Sequence, residues 1–405
     1  MRTLIHSIGG LALTNPDRIP VLKGAAMQKW SFLQDAYAII ENGIITEIGS
    51  GQPDRHADKT IDASGRLVLP AFCDSHTHIV YAGSREQEFV MKIQGKTYEE
   101  IAAAGGGILQ SAEKLNLTSP EELMDQSLQR LEILASFGVA AVEIKSGYGL
   151  SVEGELKMLR VIQSLKSKTR QTLKATFLGA HAIPHKYKSR REEYIRLLLE
   201  DILPIVADEG LADFIDVFCD NGFFTIEETD RILEAGVKRG LQPKIHANEL
   251  DYSGGVEAGV RHGARSVDHL ECTGPDQIET LLSSETMPTL LPSTAFFLGL
   301  PFAPARKMID AGLPVALATD FNPGSSPSGN MPFVLSLACI KMKMLPKEAL
   351  TAATQNGAYA MGLENEMGSI TVGKKAALII TKPMNSLDFI PYSFGHNPVE
   401  TLLLP

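Results

Sequence analysis

The chain is short of cysteine, of long apolar runs and of positive charge, and each shortage closes off a class of protein. Its four cysteines, Cys73, Cys219, Cys272 and Cys339, are scattered over 405 residues with no CxxC spacing. They read as buried thiols of a reducing compartment, not as a disulfide framework. No run of about 18 apolar residues occurs, so no segment is expected to span a membrane. The opening MRTLIHSIGGLALTNPDRIP lacks a basic patch, a long apolar stretch and a small-residue cleavage site, and does not read as a signal peptide. The formal net charge is −10, so nucleic acid and anionic membrane surfaces are not expected partners. An anionic substrate would need a dedicated local cation. The expected setting is cytoplasmic.

What the chain has is length and ordinary globular composition. It is 44% hydrophobic and 21% charged, enough for a large core and more than one domain. Both ends are rich in strand signals. AYAIIENGIITEIGSG alternates around Asn42-Gly43, a strong hairpin signal, and GSITVGKKAALIITK reads as strand, glycine turn, strand. Neither end can make a good core alone. Residues 1–66 and 366–405 are therefore expected to form one small β-sandwich domain together.

Between them, apolar β runs alternate with helical stretches such as PEELMDQSLQRLEILASF and EYIRLLLEDILPIVADEG. The runs are LVLPAFCDSHTH, GVAAVEIKSGYG, LKATFLGAHAIP, DFIDVFCDNGFF, PKIHANEL, SVDHLECT, TMPTLLPST and PVALATDFNPGS. Eight β/α units over residues 67–365 predict a closed (β/α)8 TIM-like barrel of the α/β class. The first connection, 79–137, is long, and its KIQGKTYEEIAAAGGGILQSA segment is expected to act as a lid or substrate wall over 95–110. Gly105-Gly106-Gly107 is not a phosphate cradle, because it lacks GxxxxGK[ST] and follows no strand.

Barrel active sites lie at the C-terminal strand ends, and polar residues gather there. His76 and His78 are one strand repeat apart, share a face and can grip one metal ion. Arg85 follows them as a fixed cation. His181 ends the third run, His246 and Glu249 the fifth, His269 the sixth and Asp320 the eighth. His76, His78, His246 and Asp320 make a nitrogen/oxygen ligand set for a divalent ion with room for water. His269 could complete the shell or hydrogen-bond that water. A metal lowers the pKa of bound water to near neutrality. Asp320 or His269 could take the proton, and Glu249 could deliver one to a leaving nitrogen. Two-metal barrels commonly carry a modified lysine after the fourth strand. DVFCDNGFF has none, and Lys145 ends the second, so one metal is favoured over two.

These residues resemble the amidohydrolase superfamily: HxH after the first strand, histidines after the fifth and sixth, and an aspartate after the eighth. The longer strings DSHTHIVYAGSRE, GKTYEEIAAAGGGI, EIKSGYGL, FLGAHAIP, HANEL, VDHLE and TDFNPGSSPS are far more specific. They are similar to the family within it that opens the ring of 4-imidazolone-5-propanoate, the third step of histidine breakdown to glutamate. That resemblance implies zinc or iron on His76, His78, His246 and Asp320, and catalytic roles for Glu249 and His269. It also implies substrate contacts from Arg85, Tyr148 and His181. Asn322, Gly324 and Ser325 would hold the glutamate-like end of the product, N-formimidoyl-L-glutamate, and relatives suggest a homodimer. Arg85 can offer a two-pronged fork to the propionate, and backbone N–H groups of 324–326 could add donors. KKAALIITK departs from the aspartate that many relatives carry before the apolar run, in the β domain and away from the chemistry. A nucleobase deaminase is the nearest rival, but it needs no carboxylate clamp. A non-enzymatic scaffold barrel should have lost ligands that are all present here.

Overall fold

A computed structural model describes the whole chain except residues 52, 54–55, 97–99 and 101–105. The two termini form one seven-stranded sheet. Across it run Val399–Leu403, Leu378–Thr381, Leu67–Pro70, Arg2–Thr14, Ser31–Glu41 and Ile44–Ser50, with Lys59–Asp62 also paired to Arg2–Thr14. Asn42 and Gly43, at φ 51° and 80°, close the Ser31–Glu41/Ile44–Ser50 hairpin. Both φ values are positive, as a two-residue hairpin turn of the primed type requires. Ile5, Ile8, Leu11, Ala38, Ile45, Val68, Leu378 and Ile380 make the sheet's own core. Of the two strands read in GSITVGKKAALIITK, only Leu378–Thr381 forms. The first is reduced to a single bridge between Ile370 and Thr14.

The run LVLPAFCDSHTH, expected to be one barrel strand, divides. Leu67–Pro70 pairs with Arg2–Thr14 and Leu378–Thr381 in the terminal sheet. After Ala71 the chain enters the barrel as Phe72–Thr77. An apolar run buried throughout has no face to mark the point where it changes sheets.

The barrel strands follow in chain order: Phe72–Thr77, Val139–Lys145, Thr172–Ala180, Phe214–Cys219, Ile245–Ala247, Ser266–His269, Met287–Leu290 and Ala316–Leu317. Every neighbouring pair is parallel. Hydrogen bonds from Asp320 N to His76 O (3.0 Å) and from His78 N to Phe321 O (3.0 Å) close the ring. Helix starts are locally encoded. Ser119, Ser151 and Thr225 accept from backbone N–H groups at the heads of Pro120–Ser136, Val152–Leu165 and Ile226–Lys238, and each such cap contributes about 1 kcal/mol. The EYIRLLLEDILPIVADEG stretch is helical with a π segment at Leu197–Ile202. The long first connection carries Glu86–Ile93, Ile108–Leu117 and Pro120–Ser136. Half of the expected lid over 95–110, including Gly105, lies outside the described residues. All four cysteines are free. No described helix is long and apolar enough to cross a membrane.

Candidate metal centre and active site

Strand ends at one mouth of the barrel build a cavity of about 200 Å³. Its lining includes His78, Arg85, Tyr148, His181, His246, Glu249, His269, Asp320, Asn322, Gly324 and Ser325. His76 lies just beneath, with its Nε2 3.2 Å from His78 Nε2. The sequence-predicted residues thus converge on one place. Positive φ angles at Asn248 (57°), His269 (83°), Leu270 (70°) and Asp320 (52°) bend the backbone at three of these strand ends. Such conformations cost of order 1–3 kcal/mol each and gather at functional sites.

The donor set fits a metal ion. Asp320 Oδ1 is 3.4 Å from both His76 Nε2 and His78 Nε2. Donor atoms of His76, His78 and Asp320 lie within 4.8 Å of one another, and so do those of His76, His246 and His269. Asp320 Oδ1 and His246 Nε2 are buried with no hydrogen-bond partner among the described residues. Unpaired buried polar atoms are costly, and a cation beside them would give each a partner; the two donor groups meet at His76. Three of the four proposed ligands are held from their other side, while His78 Nδ1 has no hydrogen-bond partner among the described residues. His76 Nδ1 donates to Asp268 (2.7 Å), His246 Nδ1 donates to Asp216 (3.0 Å), and Asp320 Oδ2 accepts from Thr294 (2.6 Å). These bonds fix the tautomers with Nε2 pointing at the shared point.

Burial, then the neighbouring Lys145 and His246, keep His76 well below its ordinary pKa; burial and His181 do the same for His78. Neutral imidazoles are the ligand form. Burial raises the Asp320 carboxyl to about 6. Burial and the Asp320 charge raise Glu249 to about 8, so it can carry a proton near neutrality. Glu249 Oε2 lies 3.6 Å from His269 Nδ1, and Glu271 Oε2 lies 3.7 Å from the same atom. His181 is lowered to about 3, chiefly by burial and by His246. It stacks on His78 with ring centres 5.2 Å apart and donates from Nδ1 to Gly147 O at 3.1 Å.

Two expectations about anion binding change. Arg85 does not present its whole fork to the cavity. Its Nε and Nη2 meet Glu88 at 2.8 and 2.5 Å, while Glu88 also accepts from Gly107 N. The spacing of three residues at a helix start makes this pair local. The Nη1 edge lies over Gly324, where a Cβ would collide with it. The backbone N–H groups of Gly324 and Ser325 are not open donors either. Both donate to Asn322 Oδ1 at 2.8 Å, and Asn322 Nδ2 donates to Asp320 O and to Ser325 Oγ. An asparagine reaching its own backbone two residues on is ordinary turn chemistry.

Lys92 and Ile108 of the expected wall segment do line the cavity, but sequence reasoning missed the walls Phe218, Phe223 and Leu298. Apolar side chains from distant loops leave no local signal. It also missed the charges under the ligands. Glu143, Lys145, Asp216, Lys244 and Asp268 are all fully buried or nearly so. Burial opposes the charge on Lys145, but Asp216, Glu143 and Asp268 around it raise its pKa above the ordinary value. Burial opposes ionisation of Asp216, yet His246 and Lys145 hold its carboxyl well below the usual range. A signal for these existed: charges inside apolar runs, with Glu143 and Lys145, or Lys244 and His246, one strand repeat apart.

The fold and the metal-type cavity define a class, and comparison with known proteins agrees. The chain belongs to the amidohydrolase family, whose profile matches residues 67–400, a metal-dependent group. The chain is 56% identical to the imidazolonepropionase of Flavobacterium johnsoniae over 406 residues, covering 100% of this chain and 99% of that one. It is 53% identical to the imidazolonepropionase of Flavobacterium psychrophilum, again covering 100% and 99%. Among solved structures, an adenosine deaminase from Xanthomonas campestris with bound zinc superposes with a TM-score of 0.70. It is 17% identical and covers 99% of this chain and 91% of that chain. At that identity the likeness is one of fold alone.

Proposed function

We propose that this chain acts as an imidazolonepropionase. It hydrolyses the ring of 4-imidazolone-5-propanoate to N-formimidoyl-L-glutamate in histidine degradation. The observation that carries this reading is the 56% identity to an imidazolonepropionase across the full length of both chains. The cavity's chemistry supports it, with a metal-type donor set on one side and Arg85 on the other.

His76, His78, His246 and Asp320 would hold one ion, zinc or iron. When bound, the ion supplies a lowered pKa for water and polarises the ring carbonyl. The chain's own groups do the rest. Arg85, steered by Glu88, gives the propionate a cation in an acidic protein, with Asn322, Gly324 and Ser325 beside it. Tyr148 and His181 wall the ring. Asp320 or His269 accepts a proton as water gives its oxygen to the carbonyl carbon. His269 then faces the oxygen on which charge develops. The bond from that carbon to the ring nitrogen breaks, and Glu249 donates its proton to the departing nitrogen. The reading includes a cytoplasmic homodimer with no nucleic-acid partner.

The test is a substrate panel on protein of known metal content. Metal-loaded enzyme should turn over 4-imidazolone-5-propanoate and leave hydantoins, pyrimidines and aminated nucleobases almost untouched. Preference for an aminated base over the imidazolone would replace this reading with a deaminase.

A further inference from the structure

One layer below the proposed metal point lies a second group of buried charges. Lys145 sits at the end of the second barrel strand with its side chain completely buried. Its Nζ lies 2.7 Å from Glu143 Oε1, 2.7 Å from Asp216 Oδ2 and 3.4 Å from Asp268 Oδ2. An ammonium group has three protons to donate, and here three carboxylates surround it. Two of them are the carboxylates that orient the proposed ligands. Asp216 uses Oδ1 for the His246 ring and backbone, at 3.0 and 3.2 Å, and Oδ2 for Lys145. Asp268 Oδ2 serves both His76 Nδ1 and Lys145. The third, Glu143, is anchored from elsewhere. Thr176 donates to its Oε1 at 2.6 Å, and Lys244 is bonded to its Oε2 and to Ser75 O.

We infer that Lys145 is a positioning residue of the metal centre. Its ammonium group ties Asp216 and Asp268 together and so aims His246 Nε2 and His76 Nε2 at one ion. The two histidines stand on strands that do not adjoin, the first and the fifth, and no direct backbone pairing sets their spacing. The lysine from the second strand spans the barrel interior and supplies that link. Stability does not account for it. Buried ion pairs are commonly matched or bettered by apolar groups of similar volume, and the rest of the strand, Glu143 apart, is apolar. Partners that orient metal-bound histidines typically change metal affinity 10- to 100-fold when removed. The inference rests on the metal-centre reading given above.

Its test is metal affinity, measured on stripped full-length protein by competition with a chromophoric zinc chelator. Lys145→Met keeps an unbranched side chain without charge, and Lys145→Gln keeps a donor. Folding of each is checked by circular dichroism and thermal midpoint. The expected result is zinc binding weakened by about 10- to 100-fold in folded variant, with a shifted visible spectrum when cobalt is substituted. Adding Asp216→Asn to Lys145→Met should weaken binding by less than the product of the two single effects. Zinc affinity within about three-fold of wild type in either folded lysine variant overturns the inference, even if the thermal midpoint falls, and leaves a merely structural cation. If neither lysine variant folds, Asp216→Asn and Asp268→Asn decide it. Each must weaken zinc, and an unchanged affinity in either one breaks the bridge. Wild-type protein that does not bind zinc or iron would instead defeat the metal-centre reading itself.

Discussion

At the scale of single residues the site depends on where charge is placed and on what holds it there. Glu249 carries its proton near neutrality because it is buried beside Asp320. A general acid works only when protonated, so turnover should fall as pH rises past the Glu249 value. A bound cation pulls that value down, and the falling limb should lie at or below about pH 8. Glu249→Gln should remove that limb and lower turnover by about 10²-fold or more, with metal content unchanged. Turnover within a few-fold of wild type would make Glu249 a structural contact. Arg85→Met should weaken apparent substrate binding by roughly 1.5–3 kcal/mol, the range for hydrogen bonds to charged groups. An analogue without the carboxylate should lose little further in that variant. Equal losses for both would mean that Arg85 steadies the loop through Glu88 and does not clamp the propionate.

At the scale of elements, the loops after the strands are shaped by their own polar groups. Gly147, at φ 104°, leads the chain past the third strand so closely that a Cβ would lie 2.8 Å from Leu178 O and 2.9 Å from the His181 ring. Gly147→Ala should therefore lower the thermal midpoint and raise KM by moving His181. Unchanged values of both would show that the loop yields at no cost. The turn at 320–326 is organised by Asn322, whose side chain takes two backbone donors and gives two more bonds. Asn322→Ala leaves those groups unpaired beside Asp320. It should raise KM by about ten-fold, near the effect of one lost bond to a charged or buried partner, which steady-state kinetics would read directly.

At the scale of the molecule, the barrel brings together neutral imidazoles and a carboxylate that repel or strand one another without a cation. Chelation should abolish activity and lower the thermal midpoint, because an ion that binds only the folded chain stabilises it by mass action. One equivalent of zinc or ferrous ion should restore both. Full activity in stripped protein would sink the metal-dependent reading, and a firm need for two ions per chain would sink the single-site one. The terminal sheet stands apart from this chemistry. Among the described residues it contributes none to the cavity lining, and its core is largely its own.

Much of this architecture was written in local pattern. Apolar runs ending in polar groups gave eight strands, because a buried parallel strand must be apolar along its length and can present chemistry only at its end. HxH told of a shared face, since period two is a property of any strand. Asn42-Gly43 marked its hairpin because few residue pairs tolerate two positive φ angles. Other features were decided only by the tertiary structure. The chain's change of sheet at Ala71, the capture of Arg85 by Glu88 and the self-satisfied turn of Asn322 each depend on which groups happen to be near in space. The clearest case is Lys145. In sequence it is a lysine on the wrong strand to bridge two metals. In the folded barrel it lies between Asp216 and Asp268, which stand 71 and 123 residues further along the chain. Charge interactions act through distance in space, and sequence spacing carries no record of that distance until the barrel closes.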